Sequence, residues 1–120
     1  MANAKETLPK LLEMDGFVGA CIVDSNSGMT LGTIGGNGFD LEAAAAGNTE
    51  VVRAKRKTMK PLNLQDSIED MLITLGKAYH IIRPLGSNDA LFIYVVLDKT
   101  KANLAMARHS LREVEKQLVV

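Results

Sequence analysis

The chain has 120 residues, 47% of them hydrophobic and 23% charged, enough for one domain over 1–120 whose core needs neither metal nor disulfide. Fourteen basic residues balance fourteen acidic ones, which removes the broad positive field that non-specific nucleic-acid binding needs and leaves little charge repulsion against self-association. The longest unbroken apolar run, Ala90–Leu97, is far too short to span a bilayer, and the opening Met-Ala-Asn-Ala-Lys-Glu lacks a signal-peptide apolar stretch, so a cytoplasmic protein is expected.

Along the chain, Thr7 is placed to cap a short helix that tolerates Pro9 in its first turn. Leu8, Leu11 and Leu12 share one side of it, and Asp15-Gly16 ends it. Phe17–Val23 is nearly all apolar and reads as a strand, with Cys21, the single cysteine, packing as a small core residue. Ser25-Asn26-Ser27-Gly28 makes a turn into a second strand, Met29–Ile34, whose Thr30, Gly32 and Thr33 suit a sheet edge.

Gly32-Thr-Ile-Gly-Gly-Asn-Gly38 then precedes a helix, the position where backbone amides could cradle a phosphate. It lacks the Gly-Lys-Ser/Thr ending of a P-loop, and position 41 is Leu where a dinucleotide fingerprint starting at Gly36 needs Gly. A loop is the better reading, and no cofactor is expected.

Asp40 is placed to cap a helix over about Leu41–Met59, with Glu42 near its positive end and Lys55, Arg56, Lys57 and Lys60 near its negative end. The basic run formed by these residues with Arg53 exceeds what the helix dipole requires. Arg53, Arg56, Lys57 and Lys60 are therefore candidate contacts for an acidic partner or an anionic surface, against the plainer reading of a solvated helix end. Leu41, Ala44, Ala45, Asn48 and Val52 face a sheet at helical spacing, while Ala43, Ala46, Gly47, Glu50 and Ala54 recur on the opposite side. A helix with two small-residue faces suits burial on both, the second by a symmetric copy of itself. Intrinsic helix propensity also favours Ala at such positions.

After Pro61, apolar residues over Ile68–Leu75 and Ala78–Ile82 flank Gly76-Lys77 as a two-residue hairpin. Asp66, Glu69 and Asp70 form an acidic group with no basic or metal partner in view and read as a solvated strand edge. His80 and His109 have no Cys or carboxylate at metal-ligand spacing, so neither zinc nor a nucleophile pair is suggested, and His80 is expected to pack or hydrogen-bond within its strand. Pro84–Asp89 forms a loop, and Ala90–Leu97 has the continuous apolar character of a strand covered on both faces at the sheet centre. Leu104, Ala107, Leu111, Val114 and Leu118 then form one stripe of a last helix about 18 residues long, with Asp98 as its expected cap.

The order α-β-β-α-β-β-β-α implies an α+β domain with one mainly antiparallel sheet and helices on both faces. Asp15-Gly-Phe-Val-Gly-Ala-Cys-Ile-Val-Asp24 followed by Gly28, Tyr79-His-Ile-Ile-Arg-Pro-Leu85, the strand Leu91–Leu97 and Ala102-Asn-Leu-Ala-Met-Ala-Arg108 together resemble the roadblock (dynein light chain) family, including its bacterial MglB-type branch. That resemblance spans nearly the whole chain and implies a five-stranded antiparallel sheet, with the middle helix on one face and the terminal helices on the other. It also implies a homodimer that pairs middle helices and edge strands. Under it, Ala43, Ala46, Gly47, Glu50 and Ala54, with Ile68 and Asp70 of the strand after Pro61, become one interface.

The function it implies is a non-catalytic regulatory module for a Ras-like small GTPase. The alternative is a scaffold subunit of a motor or signalling complex, and a small-molecule sensor is a third class, for which the sequence shows no polar pocket set. The chain departs from the family in its short, Pro-containing first helix.

Overall fold

The apolar run expected at the sheet centre lies there. In the computed structural model, which describes residues 3–118, β5 (Leu91–Asp98) is buried along all but its last residue. Its alternation sends Leu91, Ile93, Val95 and Leu97 into one core and Phe92, Tyr94 and Val96 into another.

β1 (Phe17–Asp24) and β4 (Ala78–Pro84) flank it, and β2 (Met29–Gly35) and β3 (Met71–Thr74) form the edges, giving one antiparallel sheet in the order β2-β1-β5-β4-β3. The expectation of β2 as an edge strand holds. A bulge between Ile22 and Val23 shifts its register against β1.

One face carries α1 (Ala4–Thr7), a 3₁₀ helix (Leu8–Glu13) and α3 (Leu104–Gln117); the other carries α2 (Leu41–Met59). On α3, Ala107, Leu111, Val114 and Leu118 are buried and Leu104 is half-buried, as the stripe requires. Cys21 is buried beneath α2.

Four local expectations are corrected. Thr7 does not cap the first helix: Asn3 does, accepting from the Glu6 amide, and the Thr7 hydroxyl donates back to the Asn3 carbonyl. Leu12 does not share the apolar side of Leu8 and Leu11 but is 53% exposed, because the segment winds as a 3₁₀ helix with three residues per turn, which turns position 12 outward.

The third correction concerns Asp98, which does not cap α3. Its carboxylate accepts from the Thr100 amide and hydroxyl in the preceding turn, while Asn103 caps the helix by accepting from the Met106 amide, so α3 starts later and is 14 residues long.

Finally, Ile68, Glu69 and Asp70 do not join β3. The β3–β4 register places Met71 opposite Ile82, so Glu69 would face Pro84, which has no amide to donate. The Leu85 amide is already used by the Leu91 carbonyl.

The glycine cluster before α2 has a conformational cause. Gly35, Gly36 and Gly38 all have positive φ, and a Cβ on Gly35 would stand 2.7 Å from the Val18 carbonyl oxygen. The loop closes with the Gly36 amide on the Val18 carbonyl and the Phe39 amide on the Gly36 carbonyl, which aims the chain into Asp40.

Candidate interaction surface

Asp40 caps α2 by accepting from the Ala43 amide at 3.0 Å. Leu41, Ala45, Thr49 and Val52 then turn inward to the sheet. Thr49 had no obvious place in the inward set; its hydroxyl donates to the Ala45 carbonyl one turn back, which satisfies it when buried.

Contacts at its flanks draw α2 to one side of the sheet. Thr30 on β2 donates to Glu42 at 2.9 Å, and Arg53 donates to the Ser25 and Asn26 carbonyls of the β1–β2 turn at 2.6 and 3.0 Å. Arg56 donates to the Asp89 carbonyl of the β4–β5 loop at 2.6 Å. The helix consequently packs over β1 and β2.

Two of the basic candidates thus have work inside the chain, satisfying loop carbonyls, a use that a charge run in sequence does not reveal. Lys57 and Lys60 are exposed. Because Arg53, Lys55, Arg56, Lys57 and Lys60 point in several directions around the helix, they do not form one stripe.

The displacement of α2 leaves the other half of that sheet face thinly covered. Met71 and Ile73 on β3 and Ala78 and His80 on β4 are only half-buried, although alternation points them to the same side as buried Ile82. Above that face, α2 exposes Ala43, Gly47, Glu50, Val51 and Ala54 on its outward side, and Ala46, also exposed, lies toward the Gly28 turn between β1 and β2. A Cβ on Gly47 would meet nothing within 4 Å. A shelf therefore exists between the inner flank of α2 and an apolar strand pair, ending at β3, an edge of the sheet.

Of the other two candidates, Ile68 is half-buried in an open groove of about 650 Å³ between the end of α2 and the β4–β5 loop, which Arg56, Lys60, Asp66 and Asp89 also line. Asp70 is held within the chain by a two-pronged pair with Arg108, at 2.9 and 3.2 Å. Val51, Met71, Ile73 and His80 were not singled out for the surface. Their signal was the alternation on β3 and β4, which shows that two faces exist but not which half a helix leaves open.

Burial shifts three titratable groups beneath and beside the shelf toward their uncharged forms. Burial pushes the Cys21 thiol up to about 12, with Glu42 adding to the effect, and burial pushes Tyr94 up to about 12 as well. Burial holds His80 below its ordinary value. Its Nδ1 lies 3.0 Å from the Tyr94 hydroxyl, and its ring meets Phe39 and Tyr94 edge-on. Among the described residues, no three His, Cys, Asp or Glu side chains gather where a metal could bind.

This architecture is that of a roadblock (LC7) domain. MglB of Myxococcus xanthus superposes with a TM-score of 0.76 at 15% identity, over 93% of this chain and 85% of that one. A Roadblock/LC7 domain from Streptomyces avermitilis gives 0.81 at 11% identity over 97% and 94%. The gliding protein MglB of Thermus thermophilus gives 0.71 at 16% over 98% and 95%. No family model matches the chain, and no curated protein sequence does. At these identities the likeness establishes the roadblock fold, of the kind seen in MglB.

Proposed function

We propose that the protein is a non-catalytic, homodimeric regulatory module that binds a Ras-like small GTPase in the cytoplasm. The observation that carries the dimer is the shelf: α2 sits over β1 and β2, and the apolar half-face beside it spans two strands, β3 and β4, which at ordinary strand spacing is about 10 Å, the diameter of a helix. A copy of α2 laid on that half-face would cover Met71, Ile73 and His80, with Gly47 and Ala43 on the outward side of α2 leaving room for it, and the same symmetry operation brings two β3 edges and the Ile68–Asp70 segments near each other. Small side chains allow that close helix approach, and neutral overall charge does not oppose it.

The GTPase part of the reading rests on what the sequence resemblance implies. Here the protein acts by binding switch regions and shifting their populations, not by donating a group to the nucleotide. The placement of all five arginines supports this: Arg112 is exposed but sits on the helix α3 and not on a loop, and the other four are held within the chain. A donated arginine must be free to reach the phosphates, whereas Arg53 and Arg56 hold loop carbonyls, Arg83 pairs with Glu115 at 2.6 Å and Arg108 holds Asp70. Lys57 and Lys60, exposed at the end of α2, remain the candidate contacts for an acidic patch on the partner.

Affinity capture with the purified protein, from lysate loaded with either a non-hydrolysable GTP analogue or GDP, tests the partner. A small GTPase retained preferentially in one nucleotide state is expected; equal retention of partners in both states favours the scaffold reading. With the GTPase in hand, each single Arg→Ala variant should keep most of any stimulation. One variant that binds normally but loses all stimulation would overturn the mechanism.

A further inference from the structure

His80 occupies a particular place on the shelf. It projects from β4 on the α2 side, between Ile73 on β3 and Val96 on β5, in the half of the face that α2 leaves uncovered. Its environment is built for the neutral ring. The Tyr94 hydroxyl lies 3.0 Å from Nδ1, a bond the neutral ring accepts through a bare Nδ1. Phe39 closes a second side with its ring edge.

The charged groups on the elements around His80 do not compensate a positive ring. Lys77 precedes β4, Asp98 ends β5, and Asp40, Glu42 and Lys55 lie on or before α2, yet burial alone accounts for the titration of His80. Tyr94 and, behind it on β1, Cys21 are the titratable groups of the neighbouring strands, and both stay neutral through the physiological range. Of the α2 side chains that a second copy would lay on the shelf, Glu50 is the acidic one, and it is already paired with Arg53 at 3.1 Å.

We infer that His80 makes dimerisation pH-sensitive: covering the shelf with a second copy of α2 buries the neutral imidazole, and its protonation opens the dimer. The inference rests on the dimer reading above. The sign follows from linkage. A histidine whose pKa is lower in the dimer than in the monomer binds fewer protons in the dimer, so association is at full strength at and above 6.5 and weakens below it, as pH falls through the value that burial has already lowered in the single chain. Each dimer buries two such rings, so the effect counts twice and the dissociation constant should rise more than about threefold between pH 7.5 and 5.5.

Sedimentation equilibrium of the full chain and of His80→Gln, at both pH values and with circular dichroism to confirm folding, tests this. His80→Gln retains a neutral hydrogen-bonding side chain, and its dissociation constant should change less than about threefold over the same range. Constant or tighter association of the unaltered protein at pH 5.5 would overturn the inference, as would equal weakening of the variant. A monomer at pH 7.5 at every concentration would instead remove the dimer reading, and the inference with it. A second readout does not need the variant to fold: NMR titration of the His80 ring in the unaltered protein should give a higher pKa under dilution to monomer than at concentrations where the dimer forms. Equal values would overturn the proposal.

Discussion

The two faces of the sheet are closed in different ways. On the α3 side, the 3₁₀ helix and α3 together seal Ala20, Ile22, Ile81, Ile93, Val95 and Leu97, and ion pairs at the margin tie α3 to β4 through Arg83 and to the segment before β3 through Asp70. Arg83 and Glu115, with side chains 12% and 17% exposed, are joined at 2.6 Å, and the other Glu115 oxygen accepts from the Gly86 amide. On the α2 side a single helix is anchored through Glu42, Arg53 and Arg56 to the strands and loops beneath it. That leaves Met71, Ile73, Ala78 and His80 half-open. One face completes a core, while the other leaves an apolar half-face open at β3 and β4.

Substitutions that separate stability from association sharpen this contrast. Leu111 is 1% exposed in the middle of α3, so Leu111→Ala should cost about 2 to 5 kcal/mol in chemical denaturation. A loss well under that range would mean that the α3 face is not the closed one.

Raising the pH should act mainly through the core beneath α2. Cys21 and Tyr94 keep their protons to about 12 in the folded chain against 9.0 and 10.0 ordinarily, so the folded state holds protons that the unfolded state releases. Their contribution is intact below pH 9 and is lost as pH rises from about 9 to about 12. The urea midpoint should fall over that range, less steeply for Cys21→Ala; identical slopes would remove Cys21 from the account.

Asp40→Ala, which deletes the side-chain cap of α2, should cost about 1 kcal/mol. A loss indistinguishable from zero would show that the flank contacts alone fix the helix.

The smallest stability effect is expected from Ala46→Arg, on an exposed position of α2: within about 0.5 kcal/mol. Under the dimer reading it nevertheless gives a monomer in light scattering, because it would place an unpaired charge in the interface. If the unaltered protein already has a mass near 13.0 kDa at every concentration, the open shelf is not a self-association surface.

Much of the fold was legible because strong local signals agreed with it. The continuous run Leu91–Leu97, the cap at Asp40 and the stripe on α3 each follow from chemistry within a few residues, and each lies where expected. The misplaced details were those settled by competition. Asp98 and Asn103 are both good caps, and Asp98 was taken by Thr100. Residues 68–70 have an apolar and polar pattern suited to a strand, but the partner strand runs out of donors at Pro84. The candidate surface was half legible: the small-residue side of α2 is visible in its spacing, while the half-face beside it is not.

By itself, the sequence determined which segments are strands and helices, which strand lies at the centre and which sides of α2 are small, because periodicity, caps and turn residues act over a few positions of chain. The tertiary structure alone decided where α2 rests on the sheet and thus what it leaves open. That position is set by Thr30 meeting Glu42, by Arg53 reaching the Ser25 carbonyl and by Arg56 reaching that of Asp89. These contacts join residues up to 33 positions apart, and their geometry exists only once the sheet has formed.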